Sequence, residues 1–234
     1  MFKKIVFGIV ILTLTGIGYY FLKKDNCAAH PGAKKLSTME AKAVLDKIYA
    51  GISGFGIAEK EVNFIKKSGG AATYGEIKFD SAQKLLDYLK PTKDDVFYDL
   101  GSGVGKFVIQ TYLTTDVKKS CGIELSGTRY ELAVKALATM EAEKLFDPLR
   151  DLRFKNANII TSDFSDATII FLCSTCYSDE LMQKITDKFQ KLKPGVKIAS
   201  LREFKNPVNF KKIDTLHLPM TWSESSPVYI YITG

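Results

Sequence analysis

The sequence predicts an α/β fold: a mostly parallel sheet of seven strands that ends in a C-terminal antiparallel pair and is preceded by a small helical region. From about residue 96, short apolar segments alternate with segments of helical period, which is typical of βαβ units. A glycine-rich turn at 101–105 joins the first of these strands to a helix. The last two predicted strands are separated only by a loop containing Trp222 and Pro227, which is typical of an antiparallel pair.

The composition is that of one globular domain. The chain has 234 residues, of which 46% are hydrophobic and 25% are charged, and this excludes a disordered tail, a collagen-like fibre and a disulfide-stapled miniprotein. Four Cys and two His leave little material for a metal cage, so we expect no metal site. The formal net charge of +7 admits nucleic acid as a partner, although the sequence contains no recognisable groove-reading module.

The N-terminal segment differs from the rest of the chain. Residues 5–22 contain no charged side chain and are flanked by paired lysines. A helix of this length spans about 27 Å, close to the roughly 30 Å hydrocarbon core of a bilayer. We therefore expect an N-terminal membrane anchor, with Tyr19 and Tyr20 at the interface; a cleaved targeting peptide is the alternative. The lysines that follow the segment predict that the folded domain faces the cytoplasm.

The predicted organisation has four parts: the anchor at 1–24, a linker at 25–36, a helical region at 37–72 and one domain at 73–234. The helical region begins with Ser37 and Glu40 at the spacing of a capping box, which predicts a helix to about residue 49. Further helices are predicted at 57–67, 81–89, from 106, 127–145 and 179–192. Strands are predicted at 96–100, 120–123, 158–161, 168–172, 196–200, 212–218 and 228–233.

The most informative segment is the turn after the first strand, Asp99-Leu100-Gly101-Ser102-Gly103-Val104-Gly105-Lys106. A P-loop needs four residues between its first glycine and Gly-Lys, but only three stand between Gly101 and Gly105. A dinucleotide fingerprint needs its third glycine where Lys106 stands. Three alternating glycines after a strand that ends in a carboxylate suit a ligand with a cationic amino-acid moiety. S-adenosylmethionine carries an ammonium and a sulfonium and no phosphate.

Further acidic positions follow the next predicted strands. Glu124 ends the second strand, where a carboxylate can accept hydrogen bonds from both ribose hydroxyls. Asp163 and Phe164 follow the third predicted strand, where they can hold adenine by its amino group and its face. Acids at three successive strand ends predict a site for a sulfonium nucleoside. The alternative is structural: Asp99 and Glu124 cap helices, the glycine segment is a tight turn, and Phe164 belongs to the core.

Two coupled segments resemble a known family: a Tyr-Gly-Glu loop at 74–76 and Asp-Leu-Gly-Ser-Gly-Val-Gly at 99–105. They are similar to the non-SET histone-lysine methyltransferases named for disruption of telomeric silencing, and the similarity covers about residues 70–234. The resemblance implies a class I methyltransferase (Rossmann-like) fold, S-adenosyl-L-methionine as methyl donor and a protein lysine as acceptor.

The resemblance also implies roles for the cofactor-binding residues. Tyr74 and Glu76 would cover the methionine end of the cofactor, and Glu124 would hold the ribose. Asp163 and Phe164 would hold the adenine. The amino-acid moiety would lie on Asp99 and on the glycine turn, with its residues Gly101, Gly103 and Gly105.

The chain departs from the family's pattern at two places. Lys106 stands where the family usually has a glutamine, and a cation there changes what the loop can hold. The family's Asn-Asn-Phe-Ala-Phe segment is Cys-Ser-Thr-Cys-Tyr at 173–177 in this chain. Ser174 or Cys173 therefore replaces the asparagine that lines the acceptor channel.

The predicted acceptor channel contains Ser174, Tyr177, Trp222 and Tyr229. Ser174 would offer a hydrogen bond to the incoming amine, and the aromatic side chains would shape an apolar channel that favours the neutral amine. Tyr231 is the alternative to Tyr229, and ordinary core packing is the alternative for all three aromatic residues. The Cys-x-x-Cys pattern at 173–176 also admits disulfide chemistry or zinc binding, but we favour packing beside the acceptor pocket.

We therefore predict a monomeric S-adenosylmethionine-dependent methyltransferase that modifies a lysine of a protein substrate. The N-terminal anchor makes a membrane protein or a small molecule the alternative acceptor. The altered channel segment makes a cofactor-binding module without transfer activity the alternative of another class. Chromatin remains an admissible partner through the histone resemblance and the basic charge.

Overall fold

The computed structural model describes residues 35–234. The predicted membrane anchor, residues 1–24, and all but the last two residues of the predicted linker lie outside the described part. Within residues 35–234, no helix is both long enough and apolar enough to cross a membrane.

The sheet has seven strands in the order β3-β2-β1-β4-β5-β7-β6. The strands are β1 (Val96–Leu100), β2 (Lys119–Glu124), β3 (Asp151–Asn156), β4 (Ile169–Leu172), β5 (Lys197–Ser200), β6 (Phe210–Met220) and β7 (Ser223–Thr233). The first five strands pair in parallel, and β7 lies antiparallel between β5 and β6. The predicted fold class is therefore confirmed, including the C-terminal antiparallel pair.

Six helices accompany the sheet in the described part of the chain: α1 (Thr38–Ile48), α2 (Glu59–Lys67), α3 (Phe79–Leu89), α4 (Lys106–Thr114), α5 (Gly127–Ala142) and α6 (Asp179–Phe189). Side chains on β1 alternate between two hydrophobic clusters, because successive residues of a strand point to opposite faces. Tyr98 and Leu100 pack with Ile185 and Phe189 of α6. Phe97 packs on the other face, in the cluster of α3 and α4. The sheet thus carries helices on both faces.

Helix α1 supports the turn between β1 and α4. Its predicted capping box is confirmed: the Ser37 backbone N–H donates to Glu40 Oε2 at 2.8 Å, and the Glu40 N–H donates to Ser37 Oγ at 3.3 Å. At the other end of α1, the buried Tyr49 hydroxyl donates to the Val104 carbonyl oxygen at 2.9 Å. The N-terminal helical region is therefore joined to the glycine turn by a direct hydrogen bond.

The third predicted strand is wrong. Residues 158–161 form a turn in which the Thr161 and Ser162 N–H groups donate to the Asn158 carbonyl oxygen. Ile159 and Ile160, whose apolar run suggested a strand, pack onto the edge of the core from this turn. The strand lies earlier, at β3, where it pairs in parallel with β2 over its whole length.

Smaller differences concern element ends. Helix α3 begins two residues earlier than predicted, whereas α5 and α6 each end three residues earlier. The predicted loop between the last strands is a two-residue turn at 221–222, and Pro227 lies inside β7. The proline is tolerated there because β5 pairs only with residues 229–232, so no hydrogen bond to β5 is lost at Pro227.

The glycine turn predicts a difference in stability between two otherwise similar substitutions. Gly105 and Gly195 both have φ +87°, but a β-carbon on Gly105 would lie 2.3 Å from Phe154 Cζ, whereas nothing lies within 4 Å at Gly195. Gly195→Ala should cost only the left-handed strain, about 1–2 kcal/mol. Gly105→Ala should cost about 1–3 kcal/mol more, because the buried ring must move. Urea unfolding measures both; equal losses would contradict the expected contact.

Candidate functional site

A cavity of about 370 Å³ lies at the carboxyl ends of β1, β2 and β4. In a doubly wound sheet the strand order reverses beside the first strand, and ligands bind in the crevice at that switch point. Here β1 lies between β2 and β4, so the cavity occupies the switch point. Seven of the predicted cofactor-binding residues precede the predicted third strand, and all of them except Gly105 line the cavity: Tyr74, Glu76, Asp99, Gly101, Gly103 and Glu124.

The glycine turn forms the floor of the cavity and has no room for side chains. Gly101 has φ +91° and Gly103 has φ +56°, which are left-handed conformations that favour glycine. A β-carbon on Gly101 would lie 2.5 Å from the Tyr177 hydroxyl oxygen, and one on Gly103 would lie 2.7 Å from Tyr74 Cε2. The N–H groups of Gly101 and Ser102 both donate to the Ile123 carbonyl oxygen. The turn is thus held against β2, where backbone and aromatic rings form the surface.

Asp99 is the buried acid of the site. Its side chain is 4% exposed, and its Oδ1 atom has no hydrogen-bond partner among the described residues. Burial, together with the neighbouring carboxyl of Glu124, raises the pKa of Asp99 to about 8. A buried polar atom without a partner is uncommon, and an acid with a strongly shifted pKa in a cleft is typical of a binding or catalytic site.

Glu124 connects the glycine turn to the start of α5. The Gly103 N–H donates to Glu124 Oε2 and the Ser126 N–H donates to Oε1, both at 2.8 Å. Burial raises the pKa of Glu124, and these backbone donors partly oppose the rise. The carboxyl lies in the cavity wall, within the electrostatic reach of Asp99. Two acids at adjacent strand ends make this cavity favourable for a cation.

Residues 54–76, which we call the covering segment, contribute part of the cavity wall, including Ile65, Gly70 and Tyr74. Within it, the Tyr74 hydroxyl donates to Glu76 Oε1 at 2.5 Å. Lys106, the first residue of α4, donates from Nζ to Glu76 Oε2 at 2.7 Å. The Glu76 N–H also donates to Thr221 Oγ1 at 2.9 Å, in the turn between β6 and β7. The lysine that departs from the family's pattern is therefore paired with an acid of the covering segment.

The structure does not place Asp163 and Phe164 in the cavity wall, and their contact with adenine stays a prediction. Asp163 is exposed and accepts a hydrogen bond from the Ser165 N–H. Phe164 is 2% exposed and packs in the core near Phe189. The residues after β3 that do line the cavity belong to the next turn: Asn158 and Ile159.

The predicted acceptor end is partly formed. Tyr177 and Trp222 line the cavity, together with Cys173, Thr175 and Cys176, and these five residues are called the acceptor end below. The Trp222 ring lies on Gly75, where a β-carbon would come within 2.3 Å of the indole. Burial, with smaller contributions from Asp99 and Cys176, raises the pKa of Cys173 to about 12. The Cys173 thiol is therefore neutral at physiological pH.

Ser174 and Tyr229, which were predicted for the acceptor channel, do not lie in the cavity wall. The Ser174 hydroxyl lies 3.0 Å from Ser200 Oγ and accepts the Arg202 N–H at 3.0 Å, so it is occupied within the core. Tyr229 packs beside Lys212, 5.4 Å from its Nζ, outside the cavity wall. The alternative, Tyr231, is buried and accepts the Phe204 N–H. Of the two candidates at 173 and 174, Cys173 is the residue in the cavity.

Sequence reasoning missed Arg129. The residue is 4% exposed, and its guanidinium donates from Nε to the Gly54 carbonyl oxygen at 2.9 Å and from Nη2 to the Ala72 carbonyl oxygen at 2.6 Å. It also lies 4.8 Å from the centre of the Tyr74 ring. One signal could have found it: a cation in the first turn of a helix, where the helix dipole disfavours positive charge.

Comparison with known proteins decides the family. Residues 57–220 match the family described as "Histone methylation protein DOT1". The chain belongs to the DOT1 family. A relative from Saccharolobus islandicus, a "Protein-lysine N-methyltransferase", is 28% identical over 156 residues, which are 65% of this chain and 88% of the relative.

Animal relatives are much longer than this chain. The "Histone-lysine N-methyltransferase, H3 lysine-79 specific" of Drosophila melanogaster is 26% identical over 60% of this chain, and the Caenorhabditis elegans enzyme of that name is 29% identical over 67%. The matched part is only 8% and 18% of those two enzymes.

Solved structures agree with the family on fold and methyl donor. An RNA methyltransferase from Salinibacter ruber, in complex with S-adenosyl-L-homocysteine, has a TM-score of 0.51 and 26% identity, covering 66% of this chain and 90% of its own. TrmN from Thermus thermophilus, at 20% identity and a TM-score of 0.51, shares the fold over 65% of this chain and 48% of its own. This member of the DOT1 family is thus an S-adenosylmethionine-dependent methyltransferase.

The cavity fits this donor on its own geometry. The unpartnered Oδ1 atom of Asp99 provides an acceptor for an ammonium, and the glycine turn provides a cradle that any β-carbon would fill. The volume of about 370 Å³ lies within the range of small-molecule sites.

The raised pKa of Asp99 predicts a pH-dependent affinity. Its folded-state pKa of about 8 lies above the usual value, so the ligand-free carboxyl is mostly protonated at pH 7 and ionises as the pH rises. The ammonium group of the ligand favours the ionised form of Asp99, so the affinity for S-adenosylhomocysteine should rise by up to about tenfold per pH unit below pH 8 and then level off. Binding at pH 7 should release a proton, which titration calorimetry in buffers of different ionisation enthalpy detects.

Asp99→Asn is the control for this behaviour. The amide cannot ionise, so its affinity should be lower and nearly constant between pH 6 and pH 8. A wild-type affinity that does not change over this range would show that Asp99 is already ionised in the ligand-free protein.

Proposed function

We propose that the protein transfers the methyl group of S-adenosylmethionine to the ε-amino group of a lysine in a protein substrate. The observation that carries the proposal is the match of residues 57–220 to the DOT1 family. The names of the relatives, which specify protein lysine and histone lysine, support the acceptor. The acceptor end agrees with it, because its five side chains are thiols, a hydroxyl and aromatic rings, and none of them is charged.

The proposal assigns each part of the donor to residues of the cavity. Asp99 accepts a hydrogen bond from the ammonium of the methionine moiety, and the glycine turn lies beneath that moiety. Glu124 accepts from the ribose hydroxyls. Asn158 and Ile159 take the place first predicted for Asp163 and Phe164, with an amide for the polar edge of adenine and an apolar side chain for its face. Tyr74 and Glu76 cover the methionine end.

When bound, the donor supplies a methyl group on a positively charged sulfur, which a neutral amine can accept by in-line displacement. A lysine must lose a proton to become that amine, and the uncharged acceptor end favours the loss by making the ammonium form costly. Burial raises the pKa of Tyr177, so its phenol stays protonated. It therefore presents a neutral hydrogen-bonding group to the cavity. No side chain of the acceptor end is a strong base, so orientation within the cavity supplies most of the rate.

The uncharged segment at 5–22 supports a membrane location for this activity. We propose that it anchors the enzyme in a membrane with the catalytic domain facing the cytoplasm, where membrane-associated proteins become accessible substrates. Fractionation of cells that express the full chain tests this proposal. Recovery in the soluble fraction would contradict it.

The acceptor class is tested with the full-length protein and methyl-labelled S-adenosylmethionine. Histones, nucleosomes and a membrane extract serve as acceptor pools, and mass spectrometry locates the label. We expect label on lysine ε-nitrogens of protein, and at least about a hundredfold less with Asp99→Asn. Label on RNA or lipid, or no product from a protein that binds the donor, would contradict a lysine acceptor.

Trp222→Ala tests the acceptor end separately from the donor site. The Trp222 side chain is 43% exposed at the rim of the cavity, so its loss should raise the KM for the protein acceptor about tenfold, since buried aromatic residues dominate such contacts. The Kd for S-adenosylhomocysteine should change less than twofold. Leu149→Ala, which removes an 84% exposed side chain outside the cavity wall, should leave both constants unchanged.

A further inference from the structure

Arg129 stands where a cation is costly. It lies in the first turn of α5, near the positive end of the helix dipole, and its side chain is almost completely removed from water. A buried guanidinium is tolerated only when its donors are satisfied by specific acceptors. The partners of Arg129 therefore indicate its role.

Its partners lie at two distant points of the covering segment. The Nε and Nη2 atoms of one guanidinium bond the carbonyl oxygens of Gly54 and Ala72, at 2.9 Å and 2.6 Å. These two carbonyls lie on either side of α2, so one planar group closes the segment into a loop against α5. A lysine has a single nitrogen and cannot reproduce this fork.

The same contacts position Tyr74. The guanidinium lies 4.8 Å from the centre of its ring, and Phe55 packs edge-on against the ring with centroids 5.1 Å apart. Gly54 leaves space for the ring, because a β-carbon there would lie 2.3 Å from Tyr74 Cζ. The hydroxyl end of the ring also lies against Gly103 of the glycine turn. Arg129, which is itself part of the cavity wall, thus positions Tyr74 at the cavity.

Glu61 gives the covering segment a second attachment to α5. It accepts hydrogen bonds from Ser126 Oγ at 2.8 Å and from the Thr128 N–H at 3.0 Å. A carboxylate at a helix N-terminus is stabilised by the helix dipole. Although partial desolvation opposes it, these donors and Arg129 keep the pKa of Glu61 below its usual value. The covering segment and the start of α5 therefore form one unit beside Glu124.

We propose that Arg129 is a positioning residue that holds the covering segment, and with it Tyr74, over the methyl-donor site and thereby sets the residence time of S-adenosylhomocysteine. The inference rests on the donor site and does not depend on lysine being the acceptor. It implies that the contact between α5 and the covering segment controls the rate at which the demethylated product is released.

A matched control exists within the same chain. Arg150 donates from Nε to the Val117 carbonyl oxygen at 2.8 Å and from Nη2 to the Tyr112 carbonyl oxygen at 2.7 Å, and it lies 4.2 Å from the Tyr112 ring centre. It makes the same kinds of contact as Arg129, but it is outside the cavity wall. A purely structural role for Arg129 predicts that both arginines behave alike when replaced.

The experiment compares Arg129→Gln and Arg150→Gln in the full-length protein. Dissociation of tritiated S-adenosylhomocysteine is followed after addition of excess unlabelled ligand, and Tm is measured without ligand. We expect Arg129→Gln to raise the dissociation rate and the KM for S-adenosylmethionine at least about tenfold, because two hydrogen bonds to a charged donor are lost. We expect Arg150→Gln to lower Tm about as much as Arg129→Gln does. Its dissociation rate and its KM for S-adenosylmethionine should stay within twofold of the wild-type values.

Two further variants keep the proposal falsifiable if Arg129→Gln folds poorly. Arg129→Lys keeps the charge but not the fork, and should give an intermediate dissociation rate. Gly54→Ala keeps Arg129 and displaces the Tyr74 ring, and should raise the dissociation rate in the same direction. Hydrogen exchange at residues 54–72 should accelerate in the Arg129 variants and not in Arg150→Gln.

The outcomes separate this inference from the proposed function. Equal dissociation rates for wild type, Arg129→Gln and Gly54→Ala would overturn the positioning role. A wild-type protein that binds no S-adenosylhomocysteine would overturn the donor site and this inference together. A wild-type protein that binds it but methylates no lysine would contradict the acceptor alone, and the dissociation rates would still decide the role of Arg129.

Discussion

The carboxyl groups of Asp99 and Glu124 lie at the ends of neighbouring strands, and both residues are almost completely buried. Burial, and to a smaller extent the charge of Glu124, raises the pKa of Asp99. Backbone N–H groups satisfy Glu124, but Asp99 keeps an oxygen without a partner within residues 35–234. A carboxylate in such a position becomes favourable when a cation reaches it. The glycine turn leaves room for that cation, and the parallel strand order places both acids at the switch point of the sheet.

Basic residues at the N-termini of two helices connect the covering segment to the part of the cavity that contains Asp99 and Glu124. Lys106 begins α4 and Arg129 lies in the first turn of α5, and the helix dipole disfavours a cation at both places. The covering segment supplies an acid to each helix start: Glu76 pairs with Lys106, and Glu61 accepts from the N-terminal donors of α5. One ion pair and two hydrogen bonds thus join the covering segment to the starts of α4 and α5.

Sequence reasoning succeeded where the signal is local. The capping box, the strand before the glycine turn and the helix after it depend on neighbouring residues, and all three are present in the structure. It failed at 158–161, because a short apolar run is compatible with a strand or with a turn that packs on the core. The turn that replaces the predicted strand contributes Asn158 and Ile159 to the cavity wall, whereas Asp163 and Phe164 lie outside that wall.

From the sequence alone came the glycine turn, the acids at 99 and 124 and the class of donor, since strand ends and turn chemistry are encoded by adjacent residues. The tertiary structure alone decided which of Cys173 and Ser174 enters the cavity, because consecutive side chains leave a strand end in different directions. It alone revealed Arg129, whose partners at Gly54 and Ala72 are 75 and 57 residues away along the chain. Contacts over such separations arise from packing, and no local pattern records them.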